Sequence, residues 1–158
     1  MLVTDINHID AIIKHADERC KEHGSRLTVK RKQVLTVLVM SNKALSAYEL
    51  VDVYKQEFGH HMPAMSIYRI LEFLENENLA HKLSLVNKYV ACTHISYLHT
   101  RCIPQFLICR DCSKVEEINI KSTIISELNA NINESGFKLL SRQLEIDCMC
   151  AACIQNPA

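Results

Sequence analysis

Two pairs of cysteines constrain this chain more than any other feature of its sequence. Cys109 and Cys112 enclose two residues, as do Cys150 and Cys153, and residues 113–149 separate the pairs. A Cys-x-x-Cys turn directs two thiolates at one point, and two such turns supply the tetrahedral four-sulfur shell that structural zinc prefers. The sequence therefore predicts a closed zinc site with no open position for catalysis.

The alternative interpretation of these pairs is a thioredoxin-like redox site, which requires one Cys-x-x-Cys at a helix N-terminus after a strand. The chain has two pairs, and the second lies within eight residues of the end of the sequence, where we predict no helix. Zinc is therefore favoured. Cys148 is interpreted as a bystander that could substitute as a ligand.

Composition sets the class of protein. The 158 residues are 48% hydrophobic, which is enough for a core in one domain or two compact ones. No apolar run approaches the roughly 20 residues that span a bilayer, and acids occur throughout residues 1–20, unlike a secretion signal. We expect a cytoplasmic protein whose eight cysteines are reduced and available to metal.

The net charge is zero, so nucleic-acid binding depends on where the charges lie. From residue 19 to residue 43 the only acid is Glu22. Such a run is most often a solvated helix face, but it can also contact phosphates. Its basic residues are Arg19, Lys21, Arg26, Lys30, Arg31, Lys32 and Lys43.

Apolar periodicity and capping residues predict four helices in the first part of the chain. Cys20 falls on an apolar face and is interpreted as a core residue. Ser46 and Glu49 form a capping-box pattern that begins the third helix, and Ser66 is predicted to begin the fourth. The second helix begins after Thr28 as N-cap. The predicted helices cover residues 6–24, 29–42, 47–58 and 66–77.

A β-hairpin is predicted over residues 79–92, with Asn87 and Lys88 near its turn. Three short helices followed by a hairpin are typical of a winged helix-turn-helix, in which residues 66–77 would be the recognition helix. An ordinary small helical bundle fits the helix pattern equally well.

The character of the sequence changes after Cys92. Residues 93–104 lack periodicity and are interpreted as a linker, so we predict domains at 1–92 and 105–158. The second is expected to be a small α/β domain. Its predicted strands cover 105–109, 114–120 and 137–147, and its helix covers about 121–134.

A second group of potential ligands borders the predicted linker. Any one of them is more often an ordinary surface or core residue than a ligand. Together they offer nitrogen, sulfur and oxygen, and the thiolate favours zinc over iron(II) or manganese(II). The group consists of His81, Cys92, His94, His99, Cys102 and Glu117.

Six motifs, taken together, resemble those of the ferric uptake regulator superfamily, and within it the zinc-sensing branch. The resemblance runs over almost the whole chain. It implies an α+β protein with an N-terminal winged helix-turn-helix domain and a C-terminal α/β dimerisation domain, joined by a hinge that holds the sensing metal. The motifs are RLTVKR (26–31), SAYEL (46–50), SIYRILEFL (66–74), HKLSLVNKYVAC (81–92), FLICRDCSKVEE (106–117) and CAAC (150–153).

The resemblance also implies roles for particular residues. The four paired cysteines would hold structural zinc, and His81, Cys92 and Glu117 would hold sensing zinc with a linker residue. Counting along the chain favours Cys102 for that position, but ligand type, which is the better guide, favours His99, so His99 is the predicted fourth ligand and Cys102 the substitute. The sequence has only two histidines in the linker, where iron-sensing relatives are His-rich. Implied DNA-binding residues are Arg26, Thr28, Lys30, Arg31, Tyr48, Ser66, Tyr68 and Arg69.

The function implied is a homodimeric repressor that binds palindromic double-stranded operators of zinc uptake genes and carries two zinc sites per protomer. No catalytic residue, membrane contact or small-molecule substrate is expected. An iron or peroxide sensor of the same superfamily is the nearest alternative. Other classes are a zinc hydrolase, for which no HExxH-like motif is present, a thiol oxidoreductase and a zinc-stabilised interaction module.

Overall fold

The computed structural model describes residues 6–41, 43–96, 104–141 and 143–156. The chain divides into two compact units, residues 1–100 and 101–158. The predicted linker, 93–104, spans this division, and its residues 93–96 form a turn.

The described residues of the first unit form four helices followed by an antiparallel hairpin, as predicted. In the hairpin Ala80 pairs with Ala91 and Leu83 with Lys88, so the turn occupies residues 84–87. A bridge between Leu45 and Tyr89 adds a third short segment to the hairpin. The elements are α1 (Ile6–Glu22), α2 (Val29–Met40), α3 (Ala47–Phe58), α4 (Ala64–Asn76), β1 (Ala80–Leu83) and β2 (Lys88–Ala91).

The boundaries of α3 follow from local hydrogen bonds. The Ser46 side chain accepts from the Glu49 backbone N–H at 3.2 Å, and the Glu49 carboxylate accepts from the Ser46 N–H at 2.6 Å. Gly59 ends the helix in the left-handed region, at φ 72°, where a residue without a Cβ is favoured. The predicted capping box is confirmed.

The predicted start of α4 was wrong. The helix begins at Ala64, with Pro63 rather than Ser66 at its start. The carbonyl of Pro63 accepts the N–H groups of Ser66 and Ile67 at 2.9 and 3.2 Å, which places Ser66 inside the first turn. Thr28 is the N-cap of α2, as predicted, although its side chain forms no capping hydrogen bond.

Helical periodicity correctly identified the core of the first unit. Cys20 is fully buried on α1, as expected for a core residue. The predicted inward residues of α2 and α4 are buried, apart from Val39, which packs partly buried against the core. This core fixes α4 with one side inward, and the opposite side faces solvent. The buried residues on these two helices are Val34, Leu35, Val37, Leu38, Ile67, Ile70, Leu71 and Leu74.

Where it is described, the second unit is a three-stranded sheet with two helices. Its central strand pairs in an antiparallel manner with the strand that follows it and in parallel with the last strand. The order in the sheet is β4-β3-β5. The elements are β3 (Gln105–Cys109), β4 (Val115–Ile118), α5 (Ser122–Glu134), β5 (Leu144–Cys148) and α6 (Ala151–Gln155).

Two details of this unit differ from prediction. The strand predicted over 137–147 begins only at Leu144, where pairing with Gln105 starts, and Phe137 and Leu140 are exposed. A short helix, α6, also begins after Cys150, where we predicted none. The α+β architecture is otherwise as predicted. Within the described ranges, no helix is long and apolar enough to cross a membrane.

Candidate metal centre and nucleic-acid interface

The first cysteine pair lies on a tight turn between β3 and β4. Cys109 ends β3, and its N–H donates to the Lys114 carbonyl at 2.8 Å. Ser113 donates to the Cys109 carbonyl at 3.0 Å and has φ 60°, which reverses the chain. Cys112 therefore returns towards Cys109, as a metal-binding turn requires.

Strand β5 brings the second pair to the first. Because β5 runs parallel to β3, Cys148 pairs in register with Cys109, and the chain reaches Cys150 two residues later. The Cys150 N–H donates to the Cys109 Sγ at 3.3 Å, and the sulfurs of Cys112 and Cys150 are 3.6 Å apart.

All four sulfurs, from Cys109, Cys112, Cys150 and Cys153, lie within 4.8 Å of one another. A tetrahedral zinc with Zn–S bonds of about 2.3 Å separates its sulfur ligands by about 3.8 Å, so this group fits the ion. Cys148 is half-buried and is not among the four grouped sulfurs.

The electrostatics of the group also suit a cation. Backbone N–H groups of Cys112 and Cys150 lower the pKa of the Cys109 thiol to about 6. Hydrogen bonding with the Cys150 thiol raises the pKa of Cys153, and the charge of Cys109 adds to this effect. Four thiolates this close repel one another, and a divalent cation would relieve that repulsion.

An ion pair joins the first cysteine turn to β5. The Arg110 guanidinium donates to the Asp147 carboxylate, with Nε 3.0 Å from Oδ2, which lowers the pKa of Asp147 and raises that of Arg110. Both side chains are exposed, so the pair contributes little to stability by itself. Its position links the residue after Cys109 to β5.

The predicted sensing ligands are distributed over both units. His81 lies in β1, and Cys92 follows β2, where its N–H donates to the Leu79 carbonyl at 3.0 Å. A ring nitrogen of His81 and the sulfur of Cys92 lie within 4.8 Å, and both residues are half-buried. Glu117 is half-buried in β4. His99 and Cys102 lie outside the described residues, and His94 lies in the turn 93–96.

The predicted DNA-binding residues lie mostly on the surface. Tyr48, at the start of α3, is 69% exposed, and Tyr68 on α4 is 37% exposed. Arg69 is exposed beside it, on the side of α4 opposite the core, and Ser66 is half-buried. Tyr48 therefore does not have the packing role that a tyrosine often has. Of the predicted DNA-binding residues ahead of and within the first turn of α2, Arg26, Thr28 and Lys30 are exposed.

Arg31 differs from the other predicted DNA-binding residues. Its guanidinium lies over the Phe73 ring, 3.5 Å from the ring centre, and donates to the Arg26 carbonyl at 2.6 Å. These contacts hold the side chain against α4, and the residue is half-buried. Nothing in the local sequence pattern indicates this role, because Phe73 is distant in the chain.

A model of the ferric uptake regulator family matches residues 22–147. The chain belongs to this family. It is 29% identical over 147 residues to the zinc uptake regulation protein of Escherichia coli (strain K12), covering 93% of this chain and 84% of that protein. It is 25% identical over 151 residues to the ferric uptake regulation protein of Helicobacter pylori (strain ATCC 700392 / 26695), covering 94% and 95%.

Solved structures of ferric uptake regulator family members agree with this. A zinc uptake regulator complexed with zinc and DNA has a TM-score of 0.78 and 26% identity, covering 93% of this chain and 95% of that one. Holo XcZur has a TM-score of 0.74 and 32% identity, covering 92% and 99%. The predicted family, and the resemblance to its zinc-sensing branch, are confirmed.

Proposed function

We propose that this protein is a zinc-responsive transcriptional repressor that binds palindromic operators of zinc uptake genes as a homodimer. The observation that carries the proposal is the likeness, over 93% of the chain, to a zinc uptake regulator solved with zinc and DNA. The family consists of regulators, and we assign no catalytic step to this member.

The proposed DNA-reading surface is the solvent-facing side of α4 together with the start of α3. Arg69 is well suited to reading a base, because a guanidinium can donate two hydrogen bonds to one guanine edge. Exposed cations ahead of and within α2 would hold the backbone phosphates. Arg31 would act indirectly, by fixing α2 against Phe73 of α4. The full proposed set is Arg26, Thr28, Lys30, Arg31, Tyr48, Ser66, Tyr68 and Arg69.

We assign the four-sulfur group to structural zinc. Four thiolates close the coordination shell, so no position remains for a substrate or an activated water. Binding free energy at such a site is largely folding free energy. The metal would therefore stabilise the second unit, whose sheet is small.

We assign a second, sensing zinc to His81, Cys92, Glu117 and His99. The separation of less than 4.8 Å between His81 and Cys92 supports the first two ligands. His99 is preferred to Cys102 because a second thiolate would change the charge and softness of the site. Loops absorb an altered ligand spacing at little cost.

Exposed apolar residues support the homodimer. Helix α5 carries three isoleucines and one leucine, yet none of its residues is buried in the single chain. Phe137 is 74% exposed and Leu140 is 89% exposed. Apolar surface of this kind is favourable to bury, and a second copy of the chain would cover it symmetrically.

Zinc would regulate the protein through conformational order. With the sensing site filled, the two winged helices of a dimer would be held for binding to successive major grooves, whereas the metal-free dimer would have to be ordered on binding. Because this coupling is thermodynamic, operator DNA must tighten sensing-zinc binding by the same factor.

Two alternatives are testable. An iron or peroxide sensor is disfavoured by the Cys92 thiolate, since iron(II) prefers harder ligands. A thiol oxidoreductase gains some support from Cys150, which follows β5 and caps α6. However, α6 has only five residues, and the grouping of four sulfurs favours metal over a two-thiol redox pair.

The proposal is tested by metal analysis combined with operator binding. We expect two zinc ions per protomer and zinc-dependent binding to palindromic duplexes that the protein selects from a random library, measured with zinc, iron(II) and manganese(II) in separate titrations. A random duplex of equal length is the control. Stronger activation by iron(II), or disulfide turnover without DNA selectivity, would contradict the proposal.

A further inference from the structure

Arg19 belongs to the basic run, but its contacts are with the protein's own backbone. It lies in the last turn of α1. Its guanidinium donates to three backbone carbonyls, those of Asn78 at 3.3 Å, His94 at 3.3 Å and Ile95 at 3.1 Å. One planar cation thus holds two separate segments of the first unit.

The first segment is the C-terminal end of α4. Asn78 has φ 55°, and Leu79 donates to the Leu74 carbonyl at 2.8 Å, so these residues terminate the helix. A cation at this end interacts favourably with the negative end of the helix dipole. A second contact joins the ends of α1 and α4, because His23 Nδ1, just after α1, lies 2.8 Å from the carboxylate of Glu77, which directly follows α4.

The second segment is the turn 93–96, which directly follows Cys92. Arg19 binds the carbonyls of two consecutive residues in it, and Ile95 is almost completely buried. The turn is therefore held in two ways: the guanidinium binds its backbone carbonyls, and the Ile95 side chain packs in the core.

We infer that Arg19 is a positioning residue that couples the segment after Cys92 to the recognition helix α4. The inference rests on the proposed function. Zinc bound at Cys92 would restrict residues 93–96, and the guanidinium that holds their carbonyls also holds the end of α4. Restricting residues 93–96 at the metal would then also restrict the end of the helix that reads DNA, because the Arg19 guanidinium donates to both segments.

The test is the Arg19→Met variant, which keeps an unbranched side chain but removes the donors. Operator affinity is measured with sensing zinc saturating and with that zinc removed under conditions that retain the four-cysteine zinc. We expect the ratio of the two affinities to fall about tenfold relative to the unmodified protein, within the usual range of allosteric coupling. The stimulation of zinc binding by operator DNA should fall by the same factor.

The matched control is Lys21→Met, which removes a positive charge from the same turn. Lys21 contacts Asp17 at 2.7 Å within α1 and is 70% exposed, so its loss should leave the affinity ratio unchanged. Arg19→Lys provides a second variant that retains the charge but lacks the planar, multiply donating guanidinium. It should also lose coupling.

The outcomes separate this inference from the proposed function. If the unmodified protein shows no zinc-dependent operator binding, the proposed function is wrong and this inference with it. If that dependence is present but both Arg19 variants retain it in full, only the inference is overturned. An equal loss in Lys21→Met would also overturn it, since the effect would then come from charge alone.

Discussion

At the scale of single residues, the structure divides the basic run into cations with different roles. Arg19 and Arg31 donate to backbone carbonyls, and Lys21 and Lys32 both contact Asp17, at 2.7 and 3.2 Å. Hydrogen bonding with Lys21 and Lys32 lowers the pKa of Asp17. Counting charges along the sequence therefore overestimates the charge available to phosphates, and Arg26 and Lys30 are the stronger candidates.

Arg69 and Lys30 should differ in how they contribute to DNA binding. Arg69→Ala is expected to lose about 1–3 kcal/mol mainly on the operator, because it removes a base contact. Lys30→Ala should weaken operator and random duplexes alike and reduce the salt slope by about one. Titrations of both duplexes at several salt concentrations measure these effects. An even loss across sequences for Arg69→Ala would identify Arg69 as a phosphate contact.

The sensing ligands can be tested one at a time. Cys92→Ser should leave a folded dimer that retains its four-cysteine zinc but no longer gains operator affinity when zinc is added. His99→Ala should behave in the same way, whereas Cys102→Ser should change little. Zinc content and zinc-dependent operator binding are the measurements. The reverse result for His99 and Cys102 would show that position in the linker, rather than ligand type, determines the site.

At the scale of elements, α3 is fixed by a charged capping box. The hydrogen bond from the Ser46 backbone lowers the pKa of Glu49 to about 2, against burial and with help from Lys88. Lys88 Nζ lies 3.0 Å from the carboxylate and begins β2, so the same group also connects the helix to the hairpin. The start of the helix that carries Tyr48 thus depends on an ionised side chain.

This carboxylate gives a pH-dependent prediction. Because the pKa of Glu49 is lowered in the folded state, its contribution is complete above about pH 5 and is lost as pH falls from about 4.5 towards 2. Glu49→Gln should cost roughly 0.5–1 kcal/mol at pH 7. Thermal unfolding of both proteins between pH 7 and pH 3 should show this difference shrinking with acid. A difference independent of pH would contradict an ionised cap.

At the scale of the whole molecule, metal binding, folding and assembly should be linked. The second unit has a three-stranded sheet, and α5 buries none of its residues within the single chain. Zinc at the four cysteines and apolar contact with a second copy would compensate for this small core. Dimerisation should therefore depend on the structural zinc.

Cys112→Ser tests that dependence. We expect loss of about one zinc per protomer, a lower melting temperature and dissociation of the dimer, because one of the four ligands of a metal that stabilises the fold is removed. Cys148→Ser is the matched control, since Cys148 lies on β5 outside the grouped sulfurs and should leave all three properties unchanged. Metal analysis and sedimentation are the measurements. A Cys112→Ser protein that remains a zinc-replete dimer would contradict the assignment.

Much of the fold and of the candidate site could be predicted from the sequence because the relevant interactions are local. The capping box joins Ser46 to Glu49, and apolar spacing determines which side of α4 is buried. Each Cys-x-x-Cys pair specifies its own turn. These interactions span a few residues, so the pattern that predicts them is visible in the chain.

Other features were decided only by tertiary structure, because their partners are distant in the chain. The convergence of the two cysteine pairs depends on parallel pairing of β5 with β3, and β5 begins only where Leu144 meets Gln105. The role of Arg19 depends on carbonyls 59, 75 and 76 residues away. Which cations bind DNA and which hold the fold together was therefore determined by packing, since a charge in the sequence does not specify its partner.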